Sequence, residues 1–316
     1  EIVSAMERTG LPVLGLVPHD EHLAAPSRHL GLVPAGERSQ SAALICQLGE
    51  HLAEHLDLEA LLAVAHSAPP LDAAPWRASD EVRPTGPDRP VIAVAGGRAF
   101  TFRYAETDEL LRAAGCEVVA FDPLSDSRLP AGTRGLYLGG GFPETYAAEL
   151  AANQPLVDDL RAAVTAGVPT VAECAGLLYL AESLDGSALA GVIPATAAMS
   201  QQLMLRYPVA TACVDSLLTR AGEQVSGHEF HRTQTSPAAG DSPAWEIDRT
   251  TTGFATQTMH ASYLHVHWAG HPQLAQRFAD AARAAAPHHP VLDPAVSDAA
   301  LLRRRHRPVP DPDRGL

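Results

Sequence analysis

Apolar residues recur along the chain at two different periods, and the places where the period changes mark out the expected elements. Over residues 39–64, Leu44, Leu48, Leu52, Leu56 and Leu62 fall at mostly helical spacing, which predicts a helix with one apolar face. Ahead of it, residues 12–17 read as a buried strand, and His19 to Pro34 as a polar loop rich in turn residues. Periodicity stops over residues 67–90, where Pro69, Pro70, Pro75, Pro84, Pro87 and Pro90 crowd together; such density predicts an interdomain linker. From Val91 short apolar runs alternate with helical ones. Strands are expected at 91–95, 116–121, 135–138 and 169–172, with helices at 105–114 and about 146–166. That alternation predicts an α/β fold with an open, mostly parallel sheet flanked by helices. Residues 192–258 read as richer in strands and Met259 to Trp268 as a β-like run. The tail at 286–316 has no periodicity and is expected to be disordered.

Composition narrows the function. The formal charge is −14, from 23 basic and 37 acidic side chains, so the average field repels nucleic acid. No apolar run approaches the roughly 20 residues needed to cross a bilayer, and a cytoplasmic protein is expected. Cys46, Cys116, Cys174 and Cys213 lie far apart with no Cys-x-x-Cys pair, which argues against a zinc site or a disulfide framework. The chain contains no lysine, so it cannot carry the Gly-rich phosphate loop that ends in Lys and Ser or Thr. It begins at Glu1 rather than methionine and reads as the remainder of a longer protein.

In an open sheet, reactive side chains gather beyond the carboxyl ends of the strands. Cys174 stands at such an end, in the run Val168 to Tyr179, which passes from β-branched residues through Ala-Glu-Cys-Ala-Gly to helix formers. A turn that tight displays its central side chain as a nucleophile elbow does, and the N-terminus of the following helix would favour thiolate. Gly139, Gly140 and Gly141 follow the run Leu136 to Leu138 and permit close backbone approach and unusual φ, as an oxyanion loop requires. A cysteine nucleophile also needs a base. His265 and His267, two residues apart in the β-like run, are expected to share one face. In Gly227-His228-Glu229-Phe230-His231 the spacing departs from the His-Glu-x-x-His zinc motif, so no metal is expected there.

Glycine loop, cysteine elbow and C-terminal histidine, in that order, resemble a triad-type class I glutamine amidotransferase. In most of that superfamily a glutamate two residues after the histidine orients it; His267 occupies that position here. Tyr263-Leu264-His265-Val266-His267-Trp268, Pro26 to Val33, Gly139 to Glu144 and Gly227 to Arg232 are similar to stretches of the cobyrinic or hydrogenobyrinic acid a,c-diamide synthase family, over roughly residues 1–285. The resemblance implies a glutamine amidotransferase domain at 91–285. It is preceded by the end of a P-loop, dethiobiotin-synthetase-like α/β domain at 1–66 and a linker at 67–90. It implies glutamine-dependent amidation of the a and c carboxylates of hydrogenobyrinate or cobyrinate, a carbon–nitrogen ligase reaction of cobalamin biosynthesis. ATP and Mg²⁺ would serve the full-length enzyme, with no cofactor or metal held tightly in this chain. Cys174 would be the nucleophile, His265 the base and His267 its support. N–H groups of Gly140 or Gly141 with Ala175 would hold the oxyanion, and Arg28, His29, His228 and Glu229 would face substrate. Glutamine and the corrin precursor are the implied partners, and a homodimer is allowed. A cobyric acid synthase-type amidotransferase and a non-catalytic partner subunit are the alternatives.

Overall fold

The computed structural model describes residues 2–24, 27–28, 31–34 and 41–289. Its centre is a six-stranded sheet in the order Phe254–Ala255, Met259–Ser262, Thr170–Glu173, Thr133–Leu138, Val91–Ala95, Glu117–Phe121. All pairings are parallel except that of Phe254–Ala255 with its neighbour. The elbow strand Thr170–Glu173 therefore lies between the strand that leads to the glycines and the strand that leads to His265. The expected α/β architecture is present.

These strands read as continuous apolar runs because both faces of the sheet are covered. Leu136 and Leu138 pack on one side with Leu150, Leu156, Leu160 and Leu177. Tyr137, Ile92 and Val94 pack on the other with Leu110, Leu111, Leu274 and Phe278. The first side is closed by the helices Ala147–Ala152, Gln154–Thr165 and Ala175–Leu180, the second by Ala105–Ala113 and Pro272–Ala284. The strand-rich region forms two further four-stranded sheets. In one of them the 14-residue strand Ile193–Arg206 pairs antiparallel with Glu229–Ser236.

Several boundaries differ from those expected. The helix expected at 146–166 is interrupted at Asn153, whose side-chain amide donates to the Pro123 and Asp126 carbonyls at 2.9 and 2.8 Å; Pro155 then opens the second helix. The helix expected at 39–64 is two, Ser41–His55 and Leu58–His66, because Asp57 caps the second by accepting the Ala60 N–H at 2.9 Å. Residues 12–17 form no strand; Gly15 makes an isolated bridge to Leu56. The end of the proline-rich stretch, at residues 82–85, is tied to the helix Pro272–Ala284. Val82 is buried, Arg83 exchanges backbone hydrogen bonds with the Gln276 amide at 2.9 and 3.1 Å, and Thr85 donates to Asp280 at 2.6 Å.

Residues 286–289 are also ordered. His288 bridges Thr133, and the His288 and His289 rings meet Asp159 at 3.0 and 2.5 Å. The remainder of the tail lies outside the described residues. Among the described residues no helix is long and apolar enough to cross a membrane.

Candidate active site

Cys174 has φ 50° and ψ −96°, a conformation that L residues avoid and that persists only where the surroundings impose it. Two backbone bonds impose it here. The Cys174 N–H donates to Ser262 O at 2.8 Å, and the Gly176 N–H donates to Gly139 O at 3.0 Å. Gly176 must be glycine, since a Cβ there would run into the Leu138 carbonyl. The sequence-based expectation of a thiolate is corrected. Burial pushes the thiol up to about 12, Glu144 adds to the effect, and the Ala175 N–H facing the sulfur offsets only part of it. A six-residue helix does not outweigh that desolvation.

The three glycines approach their neighbours closely, as expected, but none has a positive φ. A Cβ on Gly141 would collide with the Ala99 carbonyl, and one on Gly140 would come within 2.5 Å of His265 Cε1. Gly140 and Phe102 exchange backbone hydrogen bonds at 3.0 and 3.1 Å, so the Gly140 N–H is already spent. Gly141 has no backbone partner among the described residues. This leaves Gly141 and Ala175, rather than Gly140, as donors for an oxyanion.

His265 lies beyond the end of the strand Met259–Ser262. It is fixed to His228 by reciprocal backbone bonds of 3.0 and 2.9 Å and by ring stacking at 4.7 Å with planes 9° apart. Burial, with His228 and His231 beside it, lowers its pKa to about 3, so the ring is neutral at ordinary pH. His267 is not buried with it and makes no contact with the His265 ring among the described residues. Regular pairing stops at Ser262 and a 3-10 turn begins at Trp268. The His267 ring, about half exposed, turns to Glu106 at 3.4 Å and to Tyr104 at 4.5 Å between ring centroids. Among the described residues no carboxylate hydrogen-bonds the His265 ring, and the supporting role expected of His267 is not borne by its position.

Cys174, His265, His228 and Gly141 line one cleft of about 280 Å³, walled by Phe102, Tyr104, Phe142 and Phe230. The Tyr104 hydroxyl reaches His228 Nδ1 at 3.4 Å. Glu229 is buried but committed to an ion pair with Arg206, and it does not line the cleft. His231 stacks on Tyr263 at 3.8 Å and bonds the Thr233 carbonyl through Nδ1, so it forms no metal pair with His228. Of the expected substrate contacts, His29 lies outside the described residues, and Arg28 is placed only as backbone in the short strand Ser27–Arg28. The described residues that could hold a cation are Asp159, His288 and His289, none of which lines the cleft.

Sequence reasoning gave no role to Glu173, whose carboxylate lies among buried groups at the cleft floor. A signal was available. A glutamate ending an apolar strand buried on both faces is rare unless it is partnered.

Residues 91–273 match the CobB/CobQ-like glutamine amidotransferase domain. The chain belongs to that family. It is 53% identical over 302 residues to a hydrogenobyrinate a,c-diamide synthase of Thermobifida fusca, covering 91% of this chain and 64% of that protein. The hydrogenobyrinate a,c-diamide synthase of Streptomyces coelicolor is 44% identical, with 89% and 65% covered. A cobyrinate a,c-diamide synthase of a Synechococcus strain is 38% identical, with 89% and 63% covered. The chain thus spans just under two thirds of the length of these relatives. Within the amidotransferase domain, the elbow, the glycine loop and His265 all rise from adjacent strands.

Proposed function

We propose that this chain supplies ammonia, by hydrolysing glutamine at Cys174, for amidation of the a and c carboxylates of hydrogenobyrinate or cobyrinate in cobalamin biosynthesis. The observation that carries the reading is the forced conformation of Cys174 in a cleft it shares with neutral His265. Hydrogenobyrinate is favoured because the two relatives of higher identity quoted above bear that name.

The pair rests as thiol and neutral imidazole rather than as an ion pair. When glutamine enters, His265 takes the Sγ proton as sulfur attacks the side-chain carboxamide carbon. The oxyanion is held by the N–H groups of Gly141 and Ala175. The tetrahedral intermediate collapses to a thioester as the same proton passes to the departing nitrogen, which leaves as ammonia. Water then attacks the thioester with His265 again as base, releasing glutamate and restoring the thiol. Carboxylate activation in such a ligase would use ATP and Mg²⁺. With no lysine in the chain, these residues do not fit a phosphate loop.

Ammonia release from glutamine, with Cys174→Ala alongside and a glutamine-analogue alkylator as trap, tests the reading. Turnover should fall at least about 10³-fold in the variant, and the label should map to Cys174. Retained turnover in the variant would overturn it.

A further inference from the structure

Two histidines far from the cleft converge on one carboxylate, and glutamine hydrolysis uses none of the three. His288 and His289 bring their Nε2 atoms to Asp159 Oδ1 at 3.0 and 2.5 Å, with ring centroids 4.1 Å apart. Consecutive side chains in an extended segment point to opposite sides. Here both rings turn to one side, and His289 has φ 49°, a conformation that non-glycine residues seldom adopt. Backbone bonds hold the segment in place. The His288 N–H donates to Thr133 O at 2.7 Å, and the Gly132 N–H donates to His289 O at 2.9 Å. The carboxylate is fixed as well. Asp159 stands on the helix Gln154–Thr165, its side chain is 10% exposed, and its Oδ2 accepts the Leu129 N–H at 2.9 Å.

We propose that Asp159 Oδ1, His288 Nε2 and His289 Nε2 form a binding site for a single zinc ion, which clasps residues 286–289 onto the end of the central sheet where the strand Thr133–Leu138 begins. Two imidazoles and a carboxylate are a donor set that suits zinc, whereas magnesium and calcium take oxygen ligands. One ring on the carboxylate would already make a hydrogen-bonded clasp. The second ring is brought in at the cost of an unfavourable backbone conformation, and it makes no other hydrogen bond among the described residues. The three ligand atoms already lie within 4.8 Å of one another. Zinc–ligand bonds of about 2.0–2.1 Å set ligand atoms roughly 3.3 Å apart around a tetrahedral ion, so side-chain rotations seat one with the backbone unmoved. Water takes the fourth position. Binding requires both rings neutral, with the Nε2 lone pairs turned to the metal. The His289 side chain, 39% exposed, leaves the site open to solvent.

The test uses the chain purified without a histidine tag, in equilibrium dialysis against micromolar Zn²⁺ and in thermal unfolding with and without the ion. Wild type should retain one zinc per chain, and saturating zinc should raise the unfolding midpoint by about 5 °C. Mg²⁺ should do neither. Asp159→Asn and His289→Gln should each weaken zinc binding by about tenfold or more, the size of loss that changes around metal sites cause, and should abolish the rise in midpoint. His289→Gln alters a partly exposed side chain, so it reports on the site even if Asp159→Asn does not fold. His51 and His55, with ring centroids 4.4 Å apart on the helix Ser41–His55, are another pair that attracts such ions, and His51→Gln should keep the wild-type affinity. Absence of bound zinc in wild type, or equally tight binding by His289→Gln, would overturn the proposal. So would variants whose midpoints fall equally with and without zinc, which would leave a hydrogen-bonded clasp only.

Discussion

The floor of the cleft and its rim use the same residue types to opposite ends. On the floor, Cys174, Glu173 and His265 are buried, and burial drives each toward its neutral form. At the rim, His267 and Glu106 are half exposed and paired, and Glu106 is held below its usual range, first by its own backbone N–H and then by His267. Two histidines separated by a single residue thus belong to different chemistries. What separates them is burial: His265 is packed under His228, whereas His267 stands at the surface against Glu106 and Tyr104. A motif names the residue types, and the backbone between them decides which one meets the nucleophile.

Substitution at each level sharpens that contrast. His265→Ala removes the proposed base and should lower glutamine hydrolysis by about 10²–10⁴-fold, while mass spectrometry with a small thiol reagent should still detect an intact Cys174 thiol. A milder loss would mean that another group serves as base.

A second effect concerns stability. The native state raises the Glu173 carboxyl from 4.5 to about 7, chiefly through burial. As pH rises through that interval the unfolded chain releases this proton while the native state keeps it. Wild type therefore loses stability relative to Glu173→Gln, by about 3 kcal/mol in all. Denaturant unfolding of both proteins at pH 4.5 and pH 7.5 measures the difference, and a gap independent of pH would mean that the carboxyl titrates normally.

The smallest change is expected at the rim. His267→Ala should leave glutamine hydrolysis within about twofold, since exposed pairs contribute little. A loss approaching that of His265→Ala would erase the distinction between floor and rim.

The central sheet could be read from the sequence because its strands are short, apolar and regularly interrupted by helices, and the elbow because small residues surround one cysteine there. Element ends were less accessible. Asn153 and Asp57 interrupt helices through local hydrogen bonds that compete with the apolar period, and neither bond is visible in that period. The glycine loop was found for a partly different reason than the one that operates. Spacing suggested unusual φ, whereas the requirement is room for the Ala99 carbonyl and the His265 ring. The stacking of His228 on His265 depends on where the sheet containing Glu229–Ser236 packs against the central one, a long-range arrangement that no local pattern encodes. Glu173 is partnered by Tyr137 from a different strand, a contact that no local pattern encodes.

Thr133 opens its strand at the end of the sheet remote from the cleft, where the parallel strands begin, and it pairs there with both Val91 and His288. The chain therefore enters this domain and reaches its last described residues at one pole, while catalysis is laid out at the other. An affinity handle, dye or surface tether joined after residue 289 would depart from the pole away from the thiol, leaving the mouth of the cleft clear.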